Sequence, residues 1–257
     1  AGPLALFLHG FPDVPATWAG VMERLASDHR CVAPYLRGYA PSPTRGPFDL
    51  DRLGADVVAI ARALSREPAV VLGHDGGALA AYAAIAREPA RFSAVVAVSV
   101  PHPAALARTA WRHPSQLARS AYVGFFQLPR LPELALSRGL WARLYRAWSP
   151  GFEAPEAHLA EVERTLAASG SAPLGLYRAL PRSLRAQVPA WPRPRVPTLY
   201  LHGLDDGCIA PELARGQERV FEGPHRTELV VAGHFVPLEA PARVAELARA
   251  FVRAHAA

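Results

Sequence analysis

The run Val70-Val71-Leu72-Gly73-His74-Asp75-Gly76-Gly77-Ala78-Leu79-Ala80 constrains this chain more than any other. A short β-branched apolar run stops at a small residue. An acid, two glycines and an alanine-rich run follow, the pattern of a buried strand, a sharp turn and a helix. Its form is G-x-D-x-G, a nucleophile elbow with Asp at the centre. Small residues are needed at 73 and 77 because strand and helix close up around a central residue held in a strained conformation. The turn lifts the Asp75 carboxylate above the strand end and aims the Gly76 N–H at the space beside it. A carboxylate is a competent covalent nucleophile, since its ester can later be hydrolysed. The same pentapeptide also suits a Gly-rich turn with a solvated acid, so the rest of the chain must decide.

Before the elbow, Leu4-Ala5-Leu6-Phe7-Leu8 reads as a buried strand ending in the loop His9-Gly10-Phe11-Pro12. Thr17 is placed to cap a helix whose Trp18, Val21, Met22 and Leu25 share one face. A brief strand over 30–33 and an amphipathic helix marked by Leu53, Val57, Ile60 and Leu64 follow. After the elbow come a helix over 78–87 and an apolar strand over 94–100. The rhythm then breaks. Residues 103–195 hold helical patches over 115–126, 140–148, 155–168 and 173–180, with aromatics and frequent Pro but no convincing strand. A Pro-rich run over 188–197 leads back to strands over 198–202 and 228–231, with a helix expected over 212–220 and a last one lined by Val244, Leu247, Phe251 and Val252. Strands alternating with helices predict a parallel α/β sheet formed by 1–102 and 196–257, with 103–195 inserted as a helical cap. The loops at 9–12, 73–77, 202–208 and 232–235 all leave strands at the carboxyl edge, where such sheets place their sites.

A chain of 257 residues, half of it apolar, suits one domain with an insertion. The formal charge of +6 raises the question of nucleic acid or anionic lipid. All 28 basic residues are Arg, they are dispersed without a basic run, and neither Lys nor Asn occurs. That speaks for genomic base composition rather than a binding patch, so no nucleic-acid or membrane partner is expected. Cys31 and Cys208 stand too far apart in sequence context to suggest a disulfide framework or a metal site. With no membrane-length apolar run and no signal peptide, a cytoplasmic protein is expected. The chain opens on Ala1 rather than Met, with a strand almost at once, so a shortened N-terminus is expected as well.

Nucleophile, a later acid and His234 after the last strand follow the chain order of an α/β-hydrolase triad. Together with His9-Gly10-Phe11-Pro12 and Trp18, Leu36-Arg37-Gly38-Tyr39, His202-Gly203-Leu204-Asp205-Asp206 and Gly233-His234-Phe235, this chain resembles α/β-hydrolases of the epoxide hydrolase branch, near the haloalkane dehalogenases. The resemblance spans nearly the whole chain. Two segments in the cap carry it furthest. Tyr122 stands four residues before Phe126-Gln127, and Tyr177 precedes Arg178, as in the segments holding that family's two ring-opening tyrosines.

What the resemblance implies is hydrolysis of a hydrophobic epoxide by water to a vicinal diol, with no metal or organic cofactor. Asp75 would attack the ring while Tyr122 and Tyr177 donate to its oxygen. His234, oriented by an acid, would activate water against the resulting ester. The N–H groups of Phe11 and Gly76 would hold the oxyanion. His9, Pro12 and His74 would border the pocket, His9 by shaping its loop and His74 from beside the nucleophile. Asp206, three after Gly203, is favoured over Asp205 as the orienting acid, and no acid follows the 94–100 strand. Tyr145-Arg146 also has the Tyr-Arg form but reads as packing.

The sequence departs from the family in two places. Gly76 stands where Trp is very common, which counts against a haloalkane dehalogenase, and the two antiparallel strands that usually open the sheet are missing. A dehalogenase using the same Asp, and a non-catalytic ligand-binding relative, remain the alternatives.

Overall fold

The computed structural model describes residues 2–110 and 113–255. The apolar runs form six strands: β1 (Leu4–Leu8), β2 (Arg30–Val32), β3 (Ala69–His74), β4 (Phe92–Val98), β5 (Thr198–Gly203) and β6 (His225–Val230). They build one sheet in the order β2-β1-β3-β4-β5-β6, and every pairing in it is parallel. Parallel strands are covered on both faces, which is why the inner ones read as unbroken apolar runs.

Side-chain alternation divides the core in two. Leu4, Leu6, Leu8, Val71, Val95 and Ala97 pack on one face with helices α2 (Leu50–Leu64) and α3 (Gly76–Arg87). Ala5, Phe7, Val70, Leu72, Val96 and Leu201 pack on the other, under α1 (Ala19–Leu25) and the last helix (Pro241–His255). Each fully buried Leu, Val or Phe contributes on the order of 1.5–3 kcal/mol relative to an exposed one. Asp49 starts α2 by accepting from the Arg52 N–H at 3.1 Å.

The chain leaves β1 toward β2 on one side and returns to β3 on the other. The loops after β1 and β3 therefore diverge, and a crevice opens between them at the carboxyl edge. Between Pro103 and Pro197 the described residues contain no strand. They form α4 (Pro103–Thr109), α5 (Pro114–Arg119), α6 (Ala121–Phe125), α7 (Leu131–Ser137), α8 (Leu140–Trp148), α9 (Glu156–Ser169) and α10 (Leu174–Ala186).

Three local expectations fail for identifiable reasons. The 212–220 helix is instead two 3-10 turns, Pro211–Ala214 and Gln217–Val220, because Gly216 between them sits at φ 77° and ends the right-handed run. The 115–126 patch is likewise two short helices, broken at Ser120. Thr17 caps nothing: it lies inside a 3-10 turn, Pro15–Trp18, and α1 begins only at Ala19.

Candidate active site

β3 delivers Asp75 to the crevice in a conformation few residues adopt, φ 50° and ψ −116°. Such backbone strain costs on the order of 1–3 kcal/mol and persists only where the surroundings enforce it. Here Gly77 permits the turn: a Cβ on it would lie 2.1 Å from the Leu8 carbonyl oxygen. Asp75 Oδ1 accepts from the Phe11 N–H at 2.9 Å. Gly76 opens α3, so its N–H is one of the donors a helix start leaves without an intrahelical partner. Asp75 as a whole is only 5% exposed. Burial would raise its pKa, but the charges of His234 and His74 and the hydrogen bond from the Phe11 N–H hold it below the ordinary carboxylate value.

Asp75 Oδ2 faces His234 Nε2 at 3.6 Å, an ion-pair distance too long for a direct hydrogen bond. On the other side of the ring, His234 Nδ1 donates to Asp206 Oδ2 at 2.8 Å. The second oxygen of Asp206 accepts from the N–H groups of Cys208 and Ile209 at 2.7 and 2.8 Å, which fixes the carboxylate's orientation. Asp205 is exposed on the surface and takes no part. Burial lowers the His234 pKa, but the Asp206 charge and hydrogen bond, joined by Asp75, outweigh it and raise it to about 10.

The loop carrying His234 is held from several sides. Its carbonyl accepts from the Ser99 hydroxyl at 2.7 Å and lies 2.9 Å from His74 Nε2. Its N–H donates to Ser149 Oγ at 2.9 Å, and that hydroxyl donates to Glu239 at 2.6 Å. Glu239 also accepts from the Gly233 N–H at 2.7 Å. Nothing in the sequence pattern signals Ser99, Ser149 or Glu239, because each acts through side-chain hydrogen bonds that only the folded chain brings together.

Tyr122 on α6 and Tyr177 on α10 line the same cavity as Asp75, with ring centroids 5.7 Å apart. Their spacing has a backbone cause. Pro181 inside α10 has no N–H, so the Tyr177 carbonyl loses its helical donor. Gln127 Nε2 supplies the replacement at 2.9 Å. In return, Arg178 donates to the carbonyls of Phe126 and Leu128 at 3.1 and 3.0 Å. The Phe-Gln and Tyr-Arg pairs thus clamp the two tyrosine-bearing helices together. Burial first, then the Cys208 and Asp75 charges, push the Tyr122 phenol well above its usual pKa. Burial and Asp75 do the same to Tyr177. Both therefore keep their protons at neutral pH. The Tyr122 hydroxyl lies 3.5 Å from Cys208 Sγ, a neighbour the sequence does not announce.

Two residues expected at the pocket are elsewhere. His74 is fully buried behind the elbow, and Pro12 is buried beneath its loop; neither lines the cavity. Strand alternation and the fold of the first loop turn both inward. His9 borders a small adjoining cavity and shapes its loop, with Nδ1 2.9 Å from the Gly10 carbonyl and Nε2 accepting from the Leu36 N–H at 3.1 Å. Tyr145 stacks on Phe235 with centroids 3.7 Å apart and lies outside the cavity. A larger cavity of about 450 Å³, beside Glu133, Trp141 and Glu163, contains none of these groups. Among the described residues no cluster of His, Cys, Asp and Glu is placed to hold a metal, and no helix is long and apolar enough to cross a membrane.

With this geometry in hand, known proteins place the chain. A family profile for the alpha/beta hydrolase fold matches residues 3–241. Epoxide hydrolase 4 of Mus musculus is 30% identical over 267 residues, covering 98% of this chain and 73% of that protein. The AB hydrolase superfamily protein YfhM of Bacillus subtilis is 28% identical over 255 residues, covering 96% and 88%. An epoxide hydrolase structure from metagenomes of hot environments superposes with a TM-score of 0.86 at 28% identity, covering 99% of this chain and 92% of that one. The Bacillus megaterium epoxide hydrolase shares the fold, with a TM-score of 0.86 at 23% identity, covering 98% and 94%. The chain belongs to the α/β-hydrolase fold family and, within it, is an epoxide hydrolase-like hydrolase.

Proposed function

We propose that this protein opens a hydrophobic epoxide to a vicinal diol through an ester on Asp75. The observation that carries the reading is the pair of protonated phenols, Tyr122 and Tyr177, facing the same small apolar cavity as a buried, ionised Asp75. An epoxide has a strained ring but a poor leaving group, an alkoxide, and two phenols aimed at its oxygen meet that need.

Asp75 Oδ1 is already held by the Phe11 N–H, which leaves Oδ2 to attack a ring carbon. The carbon–oxygen bond of the ring breaks, and the alkoxide takes a proton from a phenol. Esterification removes the Asp75 charge, one of the two anions that hold the His234 imidazolium. The imidazolium proton then replaces the one the phenol gave up. Neutral His234, still oriented by Asp206, takes a proton from water as that water attacks the ester carbonyl. The oxyanion forms at Oδ1, against the N–H groups of Phe11 and Gly76. Collapse releases the diol, whose alkoxide takes the proton of the regenerated Asp75 carboxyl, and the site returns to its starting charges. Residues 103–195 serve as the cap: they bring both phenols to the sheet edge and exclude bulk water.

The reading is tested at the tyrosines. Tyr122→Phe and Tyr177→Phe are each expected to slow ester formation about 10²-fold, and the double variant further. Single-turnover fluorescence reads that step, because the Trp148 ring lies 5.0 Å from Tyr122 and 5.2 Å from His234. Unchanged ester formation in both single variants would remove the phenols from the chemistry.

A further inference from the structure

The space beside Asp75 is divided in two, and we infer that Leu176 makes the division, so that this protein takes epoxides with one apolar arm and rejects trans-disubstituted ones, whose arms project to opposite sides of the ring. The inference rests on the epoxide reading above.

Gly76 and Leu176 line two adjoining cavities. The first, about 90 Å³, also holds Asp75 and both phenols, and its wall is apolar: Leu79, Val100, Leu106, Val123, Leu180 and Ile209. The second, about 20 Å³, lies past Gly76 among Phe11, Leu36, Tyr39, Phe48 and Pro173. That is room for about one water-sized occupant, too little for an alkyl or aryl arm. Its wall is as apolar as the first, so size and not polarity excludes such an arm.

The barrier between the two is a single side chain. Gly76 contributes none, and a Cβ built on it would meet Leu176 Cδ2 at 3.0 Å and nothing else nearer than the Gly10 Cα at 3.9 Å. Leu176 therefore fills, from the cap side, the volume that a side chain at 76 would take. It stands in the first turn of α10, one residue before Tyr177, and is only partly buried. The substituents of a trans-disubstituted epoxide project to opposite sides of the ring. With the ring oxygen on the two phenols and a ring carbon at Asp75, one arm enters the first cavity and the other runs into Leu176. An epoxide with a single arm meets no such obstacle. Shortening Leu176 to Ala removes its three outer carbons and joins the cavities.

The test separates binding from turnover. Two unreactive carbonyl compounds offer the phenols an oxygen: phenylacetamide, with one arm, and N-benzyl-2-phenylacetamide, with arms on both sides. By calorimetry the wild type binds the second no more tightly than the first. In Leu176→Ala the affinity ratio shifts toward the two-armed compound by about tenfold or more. Leu176→Val shifts it less in the same direction, and Leu176→Phe shifts it the other way. In turnover, the kcat/KM ratio of trans-stilbene oxide to styrene oxide rises about tenfold or more in Leu176→Ala. Unchanged ratios in folded Leu176→Ala and Leu176→Val, or a wild type that already prefers two arms, overturn the inference. A shifted binding ratio with neither epoxide opened leaves the divided pocket standing and overturns the epoxide reading instead.

Discussion

Asp75→Ala is expected to abolish epoxide opening, a loss of at least about 10⁴-fold in kcat/KM, the scale seen when a covalent nucleophile is deleted from a triad. The size follows from the proposed chemistry. The tyrosines and His234 stabilise and complete a reaction that only the carboxylate begins, so nothing in the cavity substitutes for it. The same variant carries a readout independent of turnover. His234 is held at a pKa of about 10 against its own burial by Asp206 and Asp75 together. Removing one of the two anions lowers that value, which an NMR titration of the imidazole follows directly. Sign and cause agree: a cation loses an anion 3.6 Å away in a buried site. Turnover within tenfold of the wild type would remove Asp75 from the nucleophile's role.

The second large effect falls on the other half of the cycle. His234→Gln retains the Asp75 carboxylate, the Phe11 N–H and both phenols, so ester formation continues. Without an imidazole to take a proton from water, hydrolysis of the ester slows by about 10³-fold or more. The protein then accumulates one equivalent of covalently bound substrate, read as an added mass on the intact chain under excess epoxide, with a burst of consumption equal to the enzyme present. Asp75→Ala/His234→Gln takes up none. Steady turnover without an adduct would place His234 outside the hydrolytic step.

The legible parts of this chain are those where one residue type at one position has a steric or chemical necessity. Gly77 is such a position: its Cβ would strike the backbone of β1 at 2.1 Å. So are the unbroken apolar runs of β3 and β4, which a two-faced parallel sheet requires. The loops at the carboxyl edge follow from strand order alone. The choice of Asp206 over Asp205 follows from the family resemblance, which sets the acid three residues after Gly203, and the structure puts Asp206 at 2.8 Å from His234 and Asp205 on the surface. Illegible parts depend on contacts between distant segments. Gln127 reaches the Tyr177 carbonyl because Pro181, four residues further on, cannot donate to it. Ser149 and Glu239 hold the His234 loop across 90 residues of chain. The resemblance sets His74 and Pro12 at the pocket, where they adjoin the nucleophile and the oxyanion loop in sequence. Adjacency fails there because successive residues at a strand end or in a tight loop point to opposite sides. The two 3-10 turns at 211–220 show the converse failure, an amphipathic pattern overruled by one left-handed glycine.

In the covalent mechanism the oxygen added to the substrate comes first from Asp75, and water replaces it there afterwards. A single turnover in ¹⁸O-labelled water, with enzyme in excess over a one-armed epoxide such as styrene oxide, tests it most directly. Water attacks the ester at the Asp75 carbonyl carbon, so the first diol released carries no label, and mass spectrometry of the peptide containing Asp75 finds ¹⁸O in its carboxylate. Label in the first diol with an unlabelled Asp75 would mean that water opens the ring directly, and would contradict the covalent account.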